Sequence, residues 1–148
     1  MQRVARAAVR VDGATVGAIG RGLLLFVGVE RGDDAGLAAW YARRVLGMRL
    51  FDADGTPWSH SVVEAAAEVL LVSQFTLAAR TRKGRRPSFD PAAAPDVAVP
   101  LLAVFRDELA GAGVSVAEGR FGARMEVELV NDGPVTFLLD GPAAADAP

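Results

Sequence analysis

Residues 68–89, E-V-L-L-V-S-Q-F-T-L-A-A-R-T-R-K-G-R-R-P-S-F, decide the fold of this chain. Residues 69–72 are a short aliphatic run, too short for a helix and typical of a strand buried on both faces. Polar side chains follow at once, at Ser73, Gln74 and Thr76. The pattern predicts a core strand that delivers a hydroxyl–amide–aromatic–hydroxyl cluster to the edge of a sheet.

A dense run of positive charge comes directly after this cluster. The five basic residues between positions 80 and 86 are Arg80, Arg82, Lys83, Arg85 and Arg86. The whole chain has a net charge of −2, and without these five cations it would hold 11 basic and 18 acidic residues, a net charge of −7. An acidic body with one basic loop indicates a polyanion bound at one place. The alternative is a loop whose charges are merely solvated.

Composition excludes several classes of protein. The chain has 148 residues, enough for one domain with a substantial core. No apolar run approaches the length that spans a bilayer and no signal peptide opens the sequence, so we expect a soluble cytoplasmic protein. The absence of cysteine excludes disulfides and thiolate chemistry. A single histidine leaves little room for a transition-metal site or a histidine-dependent triad, and we expect no cofactor.

The remaining sequence predicts mostly strands. Residues 4–11 and 14–19 flank Asp12-Gly13, which is a hairpin turn signal, and residues 23–29 form an apolar run expected at the centre of a sheet. Further strands are predicted at residues 48–51, 114–117, 123–131 and 135–139, with a loop at residues 52–60.

Two helices are predicted as well. Asp33 or Asp34 can cap the first, because a carboxylate accepts hydrogen bonds from the free amides of the first turn. The second follows a loop at residues 90–100, and Pro100 is expected no deeper than its first turn. We therefore expect an α+β fold in one domain, residues 1–140, with a mainly antiparallel, barrel-like sheet and two principal helices. Residues 141–148 read as a disordered tail.

His60 has two interpretations. A histidine can act as a general base because its ordinary pKa suits the task. We favour the other interpretation, a loop histidine with no catalytic partner.

Asn131-Asp132-Gly133-Pro134 lies between the last two predicted strands and by itself indicates a tight turn. Together with the S-Q-F-T-L sequence of residues 73–77 it resembles the D-aminoacyl-tRNA deacylase family. Further matches support the resemblance, which covers residues 2–140: Gln2-Arg3-Val4, the sequence G-R-R-P-S-F at residues 84–89, and Phe121-Gly122-Ala123 followed by Met125.

This resemblance implies a homodimeric enzyme that cleaves the ester joining a D-amino acid, and in many members glycine, to the 3′ end of tRNA. The Gly133-Pro134 peptide would be cis and would reach into the partner's active site, where backbone groups screen chirality. The facing, catalytic wall would be Ser73, Gln74, Phe75 and Thr76. Phe121 and Met125 would line the adenosine and aminoacyl pocket. The residues beside the acceptor-stem phosphates would be Arg82, Lys83, Arg85 and Arg86.

The sequence departs from the family's pattern at its start, since the family usually begins a few residues earlier, and at two internal places. Arg80 stands where many members have an acidic residue, and many members have a Met-Asn pair near Trp58-Ser59. Both positions lie outside the two core motifs, so the departures concern peripheral tRNA contacts.

Two mechanisms and three functional classes remain open. Thr76 could be a nucleophile, but a hydroxyl needs a base and the motif supplies no His or Lys beside it. We favour a scheme in which amides of the motif stabilise the developing oxyanion while a water, assisted by the neighbouring ribose hydroxyl, attacks. The alternatives to an RNA-dependent esterase are a nucleic-acid-binding module without catalysis and a generic hydrolase of small D-configured esters or peptides.

Overall fold

The computed structural model of the chain describes residues 1–82, 84–139 and 141. Within them the chain forms eight β-strands and two α-helices, and no helix in this part is long and apolar enough to cross a membrane. In chain order the elements are β1 (Gln2–Val11), β2 (Ala14–Ile19), β3 (Gly22–Val27), α1 (Ala35–Gly47), β4 (Phe51–Ala53), β5 (Thr56–His60), β6 (Glu68–Ser73), α2 (Pro95–Gly111), β7 (Val116–Glu118) and β8 (Glu126–Thr136).

Strand β1 organises the main sheet. Along one edge it pairs antiparallel with β3 and then with β2, and along the other edge it pairs antiparallel with β8. Strand β6 is parallel to β3 on one side and to β7 on the other. The antiparallel prediction therefore holds around β1, whereas the sheet becomes parallel where a helix-containing connection separates consecutive strands.

The sheet nearly closes into a barrel because β2 approaches β7. A Cβ atom on Gly17 would collide with the backbone oxygen of Glu118, so the missing side chain permits this approach. One apolar core fills the barrel, and a second lies between the sheet and the two helices. Strand β6 contributes to both: Leu70 and Val72 point into the barrel, and Val69 and Leu71 point towards the helices. The predicted burial of both faces of β6 is confirmed.

Helix α1 begins at one of the two predicted caps. Asp34 caps the first turn through a 2.8 Å hydrogen bond that its carboxylate accepts from the Leu37 amide, and Gly47 is the last helical residue. Helix α2 begins at Pro95, so Pro100 lies in its second turn and the prediction of a first-turn proline is wrong. Pro100 has no amide hydrogen to donate to the Asp96 carbonyl four residues earlier. Both residues are exposed, so water can donate to that carbonyl instead.

The predicted loop at residues 52–60 is wrong. Strands β4 and β5 form an antiparallel hairpin there, and the predicted strand at residues 48–51 starts only at Phe51. Asp54 and Gly55 turn the hairpin, both with positive φ angles of 51° and 76°. These turn residues, together with Pro57, gave the whole stretch the composition of a loop.

The two strands predicted at residues 123–131 and 135–139 are one strand, β8. Val4 of β1 pairs with Asn131 and Gln2 pairs with Thr136, so residues 132–135 bulge out of β8 opposite a single residue of β1. The strand predicted at residues 114–117 begins two residues later, at Val116. The tail prediction for residues 142–148 lies outside the described residues.

Candidate active site

Residues 73–76 lie where β6 ends. After Ser73 the chain enters a short 3-10 turn, Phe75–Ala78, in which Phe75 and Thr76 are exposed. The Gln74 amide donates to the Val27 carbonyl at 2.8 Å, which holds this turn beside the end of β3. The Gln74 side-chain amide donates to the Thr76 hydroxyl. The structure therefore brings the predicted wall together at the carboxyl ends of two parallel strands.

Gly28 permits the close approach of this turn to β3. A Cβ atom at position 28 would lie 3.0 Å from the Gln74 carbonyl oxygen and 3.1 Å from the Leu77 Cβ atom. A side chain there would push the turn outward, so Gly28 contributes to the position of the wall.

The basic loop projects from the same platform. Arg80 and Ser88 close it through two backbone hydrogen bonds of 2.8 and 3.0 Å, and Phe89 packs edge-on against Phe75 with ring centroids 5.0 Å apart. Arg82, Arg85 and Arg86 are exposed and form no ion pair within the part of the chain that the structure describes. Lys83, the fourth predicted contact, lies outside the described residues.

Ser73 and Phe121 border a small cavity of about 130 Å³ between β6, β7 and α2. Its wall includes the ion pair between Arg106 and Glu118, whose nitrogen and oxygen atoms are 3.4 Å apart. The carboxylate of Asp107, and then that of Glu118, raise the pKa of Arg106, which stays charged. Met125 is not among the residues that line this cavity: its sulfur accepts a 3.4 Å hydrogen bond from the Arg120 amide, and its side chain packs against the core of the barrel.

The Gly133–Pro134 peptide bond is cis, as the resemblance implies, and lies in the bulge of β8. Gly133 has a φ angle of +141°, and a Cβ atom on it would lie 2.5 Å from Val135 Cγ2 and 2.9 Å from the Val135 nitrogen. Asn131 closes the bulge: its Oδ1 accepts from the Val135 amide at 2.7 Å, and its Nδ2 donates to the Val135 carbonyl at 3.3 Å. Gly133 and Pro134 themselves are exposed at the tip.

Arg3 braces the bulge from below, a role that sequence reasoning missed. Although only 8% exposed, it donates from Nε to the Asp132 carbonyl at 3.1 Å and from Nη1 to the Leu50 carbonyl at 2.8 Å. It also pairs with the carboxylates of Asp132 and Asp52 at 3.4 and 3.6 Å. The sequence of β1 gives no signal for this role, because the strand contains Arg3, Arg6 and Arg10 and only the fold shows that Arg3 alone of the three is buried. A buried arginine is seldom without partners.

A larger cleft, of about 670 Å³, runs between the two helices, the end of β3 and the segment that follows β8. Leu77, just after the wall, and Thr136, just after the bulge, both line it. Among the described residues, no hydrogen bond, ion pair or ring contact joins Gly133 or Pro134 to residues 73–76 of the same chain. Chain neighbours of both motifs therefore line one cleft, and the motifs themselves are not in contact through any of these interactions.

His60 lies apart from both motifs, on the β4–β5 hairpin. Its Nδ1 is 3.1 Å from the Ser59 hydroxyl, which itself donates to the Thr56 carbonyl. Hydrogen bonds from the Ser61 amide and hydroxyl lower the pKa of the nearby Glu64. The contacts of Ser59 and His60 lie within the hairpin, and those of Ser61 and Glu64 lie in the segment after it. Within the described residues no group of three metal-ligating side chains occurs.

Comparison with known proteins decides the family. Residues 1–140 match the family model described as D-Tyr-tRNA(Tyr) deacylase. The chain belongs to this family. A D-aminoacyl-tRNA deacylase of Geobacter sulfurreducens is 53% identical to this deacylase over 140 residues, covering 95% of the chain and 92% of the relative. A D-aminoacyl-tRNA deacylase of Idiomarina loihiensis is 55% identical over 139 residues, covering 94% and 96%.

The fold of the deacylase agrees with a solved structure. The c-Myc DNA Unwinding Element Binding Protein is 38% identical to it, with a TM-score of 0.88 over 96% of this chain and 97% of that chain. The α+β class, the nearly closed barrel and the two principal helices predicted from the sequence are thus confirmed. Family membership makes this chain an enzyme, a hydrolase of the deacylase family.

Proposed function

We propose that this deacylase cleaves D-aminoacyl-tRNA at a site built from two copies of the chain. The reaction follows from the family: hydrolysis of the ester between a D-amino acid and the 3′ end of tRNA releases the free amino acid and the tRNA. The composition of the site, its selection against L-amino acids and its location in the cytoplasm, where tRNA is charged, are our proposal. One observation carries it, the braced and exposed Gly133-Pro134 bulge that does not meet the wall of its own chain.

The surface around the two motifs supports a two-copy site. Leu138, which is 78% exposed, and Leu77 both line the cleft that chain neighbours of the two motifs share. Apolar side chains that are exposed together around one cleft are typical of a contact surface, whereas single ones are not. In a twofold dimer each contact occurs twice, so the bulge of one copy would face the wall of its partner at two equal sites.

The bulge would select chirality by steric exclusion. Gly133 has no Cβ atom, so its backbone can approach the α-carbon of the substrate closely. Arg3 and Asn131 fix that backbone, and a fixed backbone would collide with the side chain of any L-amino acid. Glycine has no side chain to reject, so we expect glycyl-tRNA to be cleaved as well.

The wall would supply the chemistry without a nucleophilic side chain. The amides of Phe75 and Thr76 open a 3-10 turn, and the first amides of such a turn have no partner within it. They can donate to the oxyanion that forms when water attacks the ester. The hydroxyl of Thr76 already accepts a hydrogen bond from Gln74, and no His or Lys contacts it within the described residues. Water assisted by the ribose 2′-hydroxyl is therefore the proposed nucleophile.

The basic loop would bind the tRNA. Arg82, Arg85 and Arg86 are exposed on a loop that the Arg80–Ser88 bridge closes. Phe89, which follows the loop, packs on Phe75, so phosphates bound by the loop would lie close to the wall. Lys83 is proposed to join them.

A second candidate, nucleic-acid binding without catalysis, is suggested by the name of the 38% identical structure, a DNA unwinding element binding protein. One assay separates the candidates: the protein is incubated with D-Tyr-tRNA, L-Tyr-tRNA and a free D-tyrosine ester. The proposed function predicts release of tyrosine from D-Tyr-tRNA alone. Binding of all RNAs without release would favour the module, and equal cleavage of the free ester would favour a generic hydrolase.

A further inference from the structure

Neither the backbone conformation nor the burial at position 58 favours a tryptophan. Its φ angle is +55°, a left-handed conformation that bulky residues rarely adopt. Its side chain is 46% exposed, so the apolar core gains little from it. A tryptophan with both features is expected to serve through its contacts.

Those contacts reach both flanks of the bulge. The indole ring lies over the Arg3 guanidinium, with 5.4 Å between Cζ and the ring centroid, and Arg3 holds Asp132 just before Gly133. The same ring meets Phe137 edge-on, with centroids 6.1 Å apart, three residues after Pro134.

The backbone of Trp58 belongs to the same network. Its amide donates to Asp52 Oδ1 at 2.9 Å, and that oxygen lies 3.6 Å from Arg3 Nη1. Phe137 is fixed in turn by two backbone hydrogen bonds with Met1. The β4–β5 hairpin thus places an aromatic ring against Arg3, which binds the residue before Gly133, and against Phe137, which follows Pro134.

We propose that Trp58 is a positioning residue for substrate chirality: by packing on Arg3 and Phe137 it holds the Gly133-Pro134 bulge in the place from which it excludes L-amino acids. The inference rests on the proposed function. Trp58 does not touch the substrate and acts through the bulge. Without the ring, the bulge can move aside for the side chain of an L-amino acid. Selectivity for the D substrate is then lost before the cleavage of D-Tyr-tRNA.

Three variants test the inference. Trp58→Asn removes the ring and keeps a residue that adopts the left-handed conformation easily, so the hairpin is spared. Trp58→Phe keeps an aromatic ring, and Trp40→Phe on α1 is the control, since the ring contact of Trp40 is with Tyr41, whereas those of Trp58 are with Arg3 and Phe137. We measure kcat/KM for D-Tyr-tRNA and L-Tyr-tRNA, the melting temperature, and the amide exchange of Val135, which donates to Asn131.

For Trp58→Asn we expect the ratio of D to L kcat/KM to fall about tenfold, the scale of one lost cation–π contact. The exchange of the Val135 amide should rise, while that of Leu24 in the barrel stays unchanged. Trp58→Phe should recover part of the selectivity, and Trp40→Phe should match the wild type. Unchanged selectivity in Trp58→Asn, or lost selectivity without faster Val135 exchange, would overturn the inference. If the wild type cleaves no D-Tyr-tRNA, the proposed function fails, and the exchange rates still decide whether Trp58 holds the bulge.

Discussion

At Gly133 the backbone leaves no room for a side chain. An alanine Cβ would lie 2.9 Å from the Val135 nitrogen, and the φ angle of +141° is strained for any residue but glycine. We expect Gly133→Ala to shift the bulge and to lower kcat/KM for D-Tyr-tRNA about a hundredfold, the scale of an ångström-sized misplacement. Steady-state kinetics on purified protein measure the loss.

Gly13→Ala is the matched control for this change. Gly13 also has a positive φ angle, +80°, but nothing lies within 4 Å of the position its Cβ would take, in the turn between β1 and β2. That variant should lose about 1 kcal/mol of stability and keep its activity. If Gly133→Ala kept as much activity as Gly13→Ala, Gly133 would serve only the fold.

Thr76 separates the two mechanisms. If water is the nucleophile, Thr76→Ala loses one exposed hydrogen bond with Gln74, so its activity should stay within about tenfold of the wild type. A substrate with a terminal 2′-deoxyribose should lose far more. Mass spectrometry after rapid quenching checks the intermediate directly, and an acyl adduct on Thr76 would contradict the scheme.

Some residues of the candidate site could be identified from the sequence and others could not. Gly133 and Pro134 were recognisable because only a few residue types fit a tight turn, and the resemblance supplied the cis bond that the structure has. Arg3 was not recognised, because its partners are backbone carbonyls at positions 50 and 132. Contacts between such distant positions depend on the sheet register, which a single sequence does not reveal.

At the scale of elements, the basic loop is a separate unit closed by the Arg80–Ser88 bridge. The double variant Arg85→Ala/Arg86→Ala should weaken tRNA binding and reduce the slope of log K against log salt by about two. Cleavage of a minimal D-aminoacyl-adenosine should be nearly unchanged, because that substrate has no acceptor stem. Binding titrations at several salt concentrations measure the effect.

The control for the loop removes two charges elsewhere. Arg43 and Arg44 are exposed on α1, and the double alanine variant there changes the net charge equally. Its tRNA affinity should fall much less. Equal losses on tRNA and on aminoacyl-adenosine in the loop variant would mean that the loop serves the fold or the chemistry instead.

The helices and most strands were predictable, since their apolar spacing and caps are local signals. Elements defined by distant pairing were not. Strand β8 was divided because its bulge has the composition of a turn, yet β1 pairs with it on both sides of the bulge. The parallel pairs β3–β6 and β6–β7 were missed because they form only when the connecting helices fold over the sheet.

At the scale of the whole molecule, the proposed active site requires two copies of the chain. Leu138→Asp places a charge on an exposed apolar residue of the cleft that Leu77 and Thr136 also line, so we expect weaker dimerisation and an activity that falls with the dimer fraction. Sedimentation and activity are measured over the same range of protein concentration. Val63→Asp, at an apolar residue 44% exposed in the loop before β6, is the control and should remain a dimer. A monomeric Leu138→Asp protein with full activity would contradict a shared site.

Mixing two inactive variants tests the central claim, a site shared between copies, most directly. Phe75→Pro removes an amide and an aromatic ring from the wall, at a position where proline fits the start of a turn, and Gly133→Ala disturbs the bulge. Each variant alone should be nearly inactive on D-Tyr-tRNA. After unfolding and refolding together in equal amounts, half of the dimers are mixed and each has one intact site, so about a quarter of the wild-type activity should return. A mixture no more active than its components, although mixed dimers are present, would show that the site lies within one chain.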